Sequence, residues 1–139
     1  MSDTNERPLD AQALRRLAGE VDPASRLACA CSVLHCPGWE SLPSSFAPAL
    51  LRRVGTLASA PRDAEPPLDE YHPDGTSYWS ADAPVAIDHF PYNCCDVWLC
   101  RQCRRSFLRY TEYGGYYVDH RIRELDPALI VDAAPKPGW

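Results

Sequence analysis

The segment NCCDVWLCRQC, residues 93–103, contains four cysteines in ten positions: Cys94, Cys95, Cys100 and Cys103. Cys100 and Cys103 form a C-x2-C step, in which a tight turn directs both thiolates toward one metal ion. Cys95 extends the pattern to C-x4-C-x2-C, so three soft ligands within nine residues can reach one ion at a small cost in loop closure. The spacing therefore predicts a metal site in this segment.

A structural zinc ion takes four protein ligands, so the pattern requires one more. His89 is the first candidate, because HFPYN, which leads from it to the cysteines, is a natural turn. The alternates are His120, which would arrive from the following hairpin, and Cys94. The predicted zinc ligands are Cys95, Cys100, Cys103 and His89. A set of this kind leaves no open position on the metal, which is typical of a structural site and not of a catalytic one.

Two other interpretations of these cysteines stay open. A plant-type iron–sulfur loop has the same spacing, but a further cysteine completes it, and none follows Cys103 in this chain. Reduced thiols that pack in a sheet are the second alternative. Another trio, Cys29, Cys31 and Cys36, lies in a run that predicts a helix, where we expect core packing as small hydrophobic side chains.

The segment from about residue 89 to residue 122 resembles a zinc-ribbon knuckle, a small β-hairpin module built around such cysteine steps. Knuckles of that family usually pair two C-x2-C steps and place Gly after the second cysteine, where the backbone is left-handed. This chain has one clear step, and Arg104 stands at the Gly position. The departure favours a variant with three cysteines and one histidine. The run FLRYTEYGGYYVDHRIRELDPALI also resembles small bacterial proteins, and this resemblance implies no activity.

Charge and hydropathy restrict the class of protein. A net charge of −5 over 139 residues disfavours nucleic acid or an anionic membrane as a partner of the whole surface. No apolar run approaches the ~18–20 residues that span a bilayer, and the polar N-terminus is not a signal peptide. Seven cysteines, an odd number, also argue against a disulfide framework. We therefore expect a cytoplasmic protein with reduced thiols and no membrane association.

The charges are distributed unevenly along the chain. Residues 61–100 hold eight acids and one arginine, whereas residues 101–123 hold six arginines and two acids. Either these segments neutralise each other within the fold, or the basic one forms a patch for an anion or an acidic partner.

Composition divides the chain into a helical region (1–60), a proline-rich acidic connector (61–76) and an antiparallel β region (77–139). Apolar spacing predicts three helices, in LDAQALRRLAGEV with Asp10 as its cap, in PASRLACACSVLHC and in SLPSSFAPALLRRVGTLASA. The predicted fold class is α+β, with short N-terminal helices packed on a C-terminal antiparallel hairpin sheet that carries a zinc-ribbon-like knuckle.

Aromatic and β-branched runs beyond the connector predict strands, most clearly in DVWLC, SFLRYTEY and YYVDHRI. The pair Gly114–Gly115 suits a two-residue hairpin turn, which would pair Tyr113 with Tyr116 and Phe107 with Ile122. Four tyrosines surround this turn. Tyrosine and arginine are common anchors of protein interfaces, so this hairpin is a candidate interaction surface.

The residues favour a protein that is not an enzyme, because G-x-S-x-G, H-E-x-x-H, phosphate-loop and deaminase motifs do not occur. We expect a zinc-stabilised protein-binding or adaptor protein that acts through its Tyr/Arg-rich hairpin. The predicted partner-binding residues are Arg101, Arg104, Arg105, Tyr113, Tyr116 and Tyr117. Nucleic-acid binding through the knuckle arginines, which the net charge disfavours, and a thiol redox enzyme are the alternatives.

Overall fold

The computed structural model describes residues 8–44, 46–58, 69–113 and 116–131, and within these ranges the side chains of 26–28 and 48 are not described. These described residues form two short α-helices and a mainly antiparallel sheet. The helices are α1 (Ala11–Ala18) and α2 (Pro23–Ala28). The strands are β1 (Glu40–Ser41), β2 (Leu51–Thr56), β3 (Val85–Ala86), β4 (Asp96–Cys100), β5 (Ser106–Tyr113), β6 (Val118–Glu124) and β7 (Ile130–Val131).

Five of the strands form one antiparallel sheet in the order β1-β6-β5-β4-β2, while β3 and β7 pair in parallel as a separate two-stranded sheet. Strands from both sides of the acidic connector therefore meet in one sheet, because β2 precedes the connector and pairs with β4, which follows it. In the part of the chain that the structure describes, no helix is long and apolar enough to cross a membrane.

Helix α1 forms within the predicted run and begins after the predicted cap. The side chain of Asp10 accepts a hydrogen bond from the backbone N–H of Ala13 at 2.8 Å, which caps the helix, and Gly19 follows its last turn. Leu14 is fully buried on the inner face. The cap and the apolar face were both readable from the sequence, and this prediction is confirmed.

Helix α2 is shorter than predicted. It starts at Pro23, with Asp22 accepting from the N–H of Ala24 at 3.2 Å, but it ends at Ala28. Cys29 is extended, with φ −79° and ψ 148°, and a 3-10 turn follows over Ala30–Val33. The prediction that Cys29, Cys31 and Cys36 lie in a helix is therefore wrong, because the chain leaves the helix before the first of them.

The third predicted helix is also wrong, since its C-terminal half is strand β2. Leu51 pairs with Cys100 and Thr56 pairs with Asp96 across β4, with an irregularity in the register between Arg53 and Gly55. Apolar spacing had suggested a helix, but long-range pairing with β4 prevails over local propensity here. These hydrogen bonds place β2 at the edge of the sheet.

The hairpin of β5 and β6 has a longer loop than predicted. Tyr113 pairs with Val118, and Phe107 pairs with Glu124, so the predicted register is wrong by two residues. Residues 114 and 115 themselves lie outside the described part of the chain. Because side chains alternate with a period of two, a shift of two residues leaves every side chain on the face to which the sequence assigns it.

Two hydrophobic clusters cover the two faces of the sheet. One contains Leu14 of α1, Trp39 and the paired residues Val97 and Leu108. The other contains Phe107 together with the four cysteines of the candidate metal centre described below. Since successive strand residues point to opposite faces, Leu108 and Phe107 belong to different clusters. These cysteines thus lie on the side of the sheet away from α1.

Candidate metal centre

Four cysteine side chains from two distant parts of the chain converge on one point. The cluster consists of Cys29, Cys31, Cys100 and Cys103, whose sulfur atoms all lie within 4.8 Å of one another. The sulfurs of Cys29 and Cys100 are 3.4 Å apart, and those of Cys31 and Cys103 are also 3.4 Å apart. Four thiolates arranged tetrahedrally at about 2.3 Å from a zinc ion would have neighbouring sulfurs about 3.8 Å apart. The donor set and its spacing therefore fit a single tetrahedral metal ion.

The C-x2-C half of the cluster lies in the turn between β4 and β5. The N–H of Cys100 donates to the carbonyl oxygen of Arg105 at 2.8 Å, and the N–H of Arg104 donates to that of Cys100 at 3.1 Å. Arg104 adopts φ +65°, the left-handed conformation that glycine provides in zinc-ribbon knuckles. The turn therefore forms with arginine in place, so the absence of glycine at this position does not exclude a four-cysteine ligand set.

The C-x-C half lies in the 3-10 turn that follows α2. The extended backbone of Cys29 redirects the chain so that Cys29 and Cys31 face the knuckle. Two further contacts hold the halves together: the N–H of Asp22 donates to the carbonyl oxygen of Cys103 at 2.8 Å, and the sulfur of Cys29 lies 3.1 Å from Oε1 of Gln102. The turn after α2 thus closes over the knuckle.

A buried arginine fixes the C-x-C turn against the sheet. Nη1 of Arg105 donates to the carbonyl oxygen of Cys31 at 2.8 Å and approaches its sulfur at 3.5 Å. Nη2 donates to the carbonyl oxygen of Leu34 at 3.0 Å, and Nε and Nη2 donate to the Glu124 carboxylate at 3.0 and 2.9 Å. All five guanidinium donors therefore have an acceptor. Arg105 is only 3% exposed, so the structure removes it from the surface on which the sequence placed it.

The surroundings of the sulfurs differ in their effect on ionisation. Burial raises the pKa of the Cys31 and Cys103 thiols. Burial also acts to raise the pKa of Cys100, but hydrogen bonds to its sulfur, led by the backbone N–H groups of Cys103 and Gln102, outweigh burial and lower that pKa to about 7. Amide groups directed at a sulfur in this way stabilise the thiolate, which is the form that binds a metal.

Cys95 and His89, predicted as ligands, do not lie in the four-cysteine cluster. Cys100 lies five positions after Cys95, and an extended chain covers on the order of 16 Å over that distance. The sulfur of Cys95 donates instead to the carbonyl oxygen of Pro91 at 3.2 Å within the first hydrophobic cluster. His89 is buried with its ring 5.2 Å from that of Tyr71.

The alternate ligands also lie elsewhere. The sulfur of Cys94 is 3.4 Å from Oδ1 of Asn93, and Nδ1 of His120 is 3.2 Å from Oγ1 of Thr111 on the exposed hairpin. Within the described ranges, the four-cysteine cluster is the one group of three or more His, Cys, Asp or Glu side chains that is close enough to share an ion. Of the predicted ligands, the structure thus brings only Cys100 and Cys103 together.

Sequence reasoning missed Cys29 and Cys31 because the run around them reads as a continuous helix. The signal that could have found them is the pairing of a C-x-C step with a C-x2-C step, which supplies four thiolates without a histidine. The helix prediction hid this signal, since C-x-C in a helix would point the two sulfurs to different sides.

Three of the hairpin tyrosines are exposed. Tyr113, Tyr116 and Tyr117 are 78%, 105% and 56% exposed, and Val118 beside them is 57% exposed. Arg101 and Arg104 are exposed as well, at the opposite end of β5. The predicted partner-binding residues therefore form two separate surfaces.

Comparison with known proteins found no match for this chain. No protein-family model matches the chain, and neither the curated proteins nor the solved structures contain a significant match.

Proposed function

We propose that this chain is a non-enzymatic protein-binding protein, whose fold is stabilised by one structural zinc ion and whose tyrosine-rich hairpin end contacts a protein partner. The proposed zinc ligands are Cys29, Cys31, Cys100 and Cys103. The observation that carries the proposal is the convergence of their four sulfur atoms within 4.8 Å, all of them in buried residues.

The character of the donor set supports zinc in a structural role. Four thiolates fill a tetrahedral coordination sphere and leave no position for water or substrate, as in the four-cysteine zinc sites that stabilise small domains. A single iron ion would accept the same ligands, so the metal itself must be measured. The proposed ion joins segments that are 71 residues apart in sequence at Cys29 and Cys100. Closing so long a loop removes many conformations from the unfolded chain.

The metal half of the proposal predicts about one zinc per chain in untagged protein, measured by elemental analysis. The double substitution Cys29→Ser/Cys31→Ser should abolish zinc binding as completely as Cys100→Ser/Cys103→Ser does, because each pair supplies half of the ligands. Cys94→Ser is the matched control, since its sulfur lies outside the cluster, and it should retain full zinc. Full zinc in Cys29→Ser/Cys31→Ser, or loss of zinc in Cys94→Ser, would overturn this ligand set.

The exposed hairpin end supports the second half of the proposal. Three tyrosines and a valine project there with more than half of their surface exposed: Tyr113, Tyr116, Tyr117 and Val118. Exposed tyrosines supply a large apolar area together with a hydroxyl group, which is why interfaces are rich in them. The two strands that carry this end are paired with each other as far as Tyr113 and Val118, which limits their loss of conformational entropy on binding.

The partner surface is tested by quantitative affinity capture from cells that express the protein. Tyr113→Ala/Tyr116→Ala/Tyr117→Ala should lose captured proteins that the wild type retains, while keeping its zinc and its unfolding temperature. Val33→Ala is the control, because Val33 is also an exposed apolar residue, at 69%, and lies outside the hairpin. An identical captured set for wild type, control and triple variant would refute this surface. Loss of captured material on nuclease treatment would instead favour the nucleic-acid alternative.

A further inference from the structure

Most of the arginines in the basic segment are used inside the fold. Four of the six make contacts with buried acceptors or lie over aromatic rings: Arg105, Arg109, Arg121 and Arg123. The other two, Arg101 and Arg104, lie on the exposed side of the knuckle, where Arg52 of β2 joins them. Together they line a cleft of about 140 Å³ whose other lining residues are Leu99 and Cys100.

Contacts with neighbouring segments orient two of these arginines. The N–H of Arg101 donates to the carbonyl oxygen of Leu50 at 2.8 Å, and its Nε donates to that of Ala49 at 2.9 Å. Arg104 is held by an ion pair between Nη1 and Glu20 at 2.8 Å. These contacts use one side-chain nitrogen of each arginine, and within the described ranges the remaining guanidinium nitrogens have no acceptor. The arginines are therefore oriented but retain donors for a ligand.

We propose that this arginine cleft, formed by Arg52, Arg101 and Arg104, binds an oxyanion of the phosphate class. No carboxylate lines the cleft, and three guanidinium groups line it together with one cysteine, Cys100. Guanidinium groups present pairs of N–H donors in a plane, which matches the oxygen atoms of phosphate better than a single ammonium would. The cleft is smaller than the ~300–1,000 Å³ of pockets for drug-sized ligands. It therefore suits one phosphate group, either free or at the end of a larger molecule.

The adjacent metal centre gives the same arginines a competing role. Four thiolates around a zinc ion carry a net charge of about −2, and nearby guanidinium groups offset such a charge. An arginine that only offsets this charge would alter metal affinity and bind no phosphate. An arginine that binds a ligand would give saturable phosphate binding that is lost on its substitution. Direct titration with phosphate distinguishes charge compensation from ligand binding, and its result does not depend on the hairpin surface.

The test is a titration of isotopically labelled, zinc-loaded full-length protein with inorganic phosphate, followed by the amide resonances and compared with sodium chloride at matched ionic strength. We expect saturable shifts centred on Arg101, Gln102 and Arg104. Arg52→Gln and Arg101→Gln should each weaken binding about tenfold, the effect of losing one charge-assisted hydrogen bond. Arg16→Gln is the control, because Arg16 is exposed on α1 outside the cleft, and it should change affinity by less than about twofold.

Parallel titration with phosphoserine distinguishes the two sources of the phosphate group. Tighter binding of phosphoserine would assign the cleft to a phosphorylated molecule, and tighter binding of inorganic phosphate would assign it to the free ion. Shifts that chloride reproduces, or an equal loss of affinity in Arg16→Gln, would overturn the proposal. Since all variants are compared at full zinc content, failure of phosphate binding would leave the zinc proposal intact.

Discussion

Arg104 shows how a single residue can tolerate an unfavourable backbone conformation. A left-handed backbone costs a residue with a Cβ atom about 1–2 kcal/mol relative to glycine. Arg104 adopts φ +65°, where it gains an ion pair with Glu20, but that pair is largely exposed and offsets only part of the cost. The geometry of the knuckle requires this conformation, because the chain must reverse between Cys100 and the start of β5.

Arg104→Gly should therefore stabilise the zinc-loaded protein, by about 0.5–1 kcal/mol after subtraction of the lost ion pair. Arg104→Ala is the informative comparison, because it loses the ion pair and keeps the Cβ atom, and it should be less stable than wild type by a few tenths of a kcal/mol. Urea unfolding at matched zinc content measures both. Equal stability of the glycine and alanine variants would contradict the assignment of backbone strain.

At the scale of elements, strand β4 explains the composition of the metal centre. Cys95 immediately precedes β4 and Cys100 is its last residue, so the extended strand holds them at opposite ends and one ion cannot bind both. Strand β2 then covers the edge of β4, and its pairing decides that residues 51–56 are strand and not helix. Gly55 marks the close approach of another segment: a Cβ atom there would lie 2.8 Å from Cδ1 of Leu9.

Gly55→Ala distinguishes these two secondary structures by the sign of its effect. In a helix, the substitution would stabilise by about 1 kcal/mol, because alanine is the better helix former. In β2, the new methyl group must displace Leu9, so we expect destabilisation by about 1–2 kcal/mol. Thermal unfolding gives the sign. In a Leu9→Ala background most of the penalty should vanish, and an undiminished penalty there would exclude the contact with Leu9 as its cause.

At the scale of the whole molecule, the cysteine cluster connects the N-terminal segment to the sheet. The two hydrophobic clusters lie on opposite faces, and cysteines make up five of the ten buried residues in the one that contains the candidate metal centre. Metal binding would therefore supply much of the attachment on that face.

Arg123 also joins separate segments of the chain. Its buried guanidinium group donates to the carbonyl oxygens of Pro37 and Ala83 at 3.0 and 2.8 Å.

Zinc affinity should fall as pH falls, because metal binding displaces protons from the cluster. Burial raises the pKa of Cys31 and Cys103, so these thiols hold protons at neutral pH in the metal-free protein, and ionising them for zinc becomes less favourable at lower pH. We expect affinity to drop at least about tenfold per pH unit between about pH 8 and about pH 6. Competition with a chromogenic chelator measures this, and the stabilisation that zinc provides should decline over the same range. An affinity independent of pH would exclude thiol ligands.

Local signals predicted part of this molecule correctly. Asp10 and Gly19 delimit α1, and the runs SFLRYTEY and DVWLC became β5 and β4, because capping and alternation act within a few residues. The C-x2-C step likewise pointed to Cys100 and Cys103, since its geometry depends on one turn. Local patterns could not supply the hairpin register, because that depends on how residues on both strands pair.

The sequence by itself thus determined a mixed α and β protein with a C-x2-C step and a tyrosine-rich hairpin. Only the tertiary structure decided the partners of that step. Cys29 and Cys31 reach Cys100 and Cys103 because α2 stops at Ala28 and the following turn folds onto the sheet. The physical reason is that segments 71 residues apart meet only through packing and strand pairing. Those long-range interactions outweigh the helical propensity of the chain between these segments. A local sequence pattern reports only that propensity.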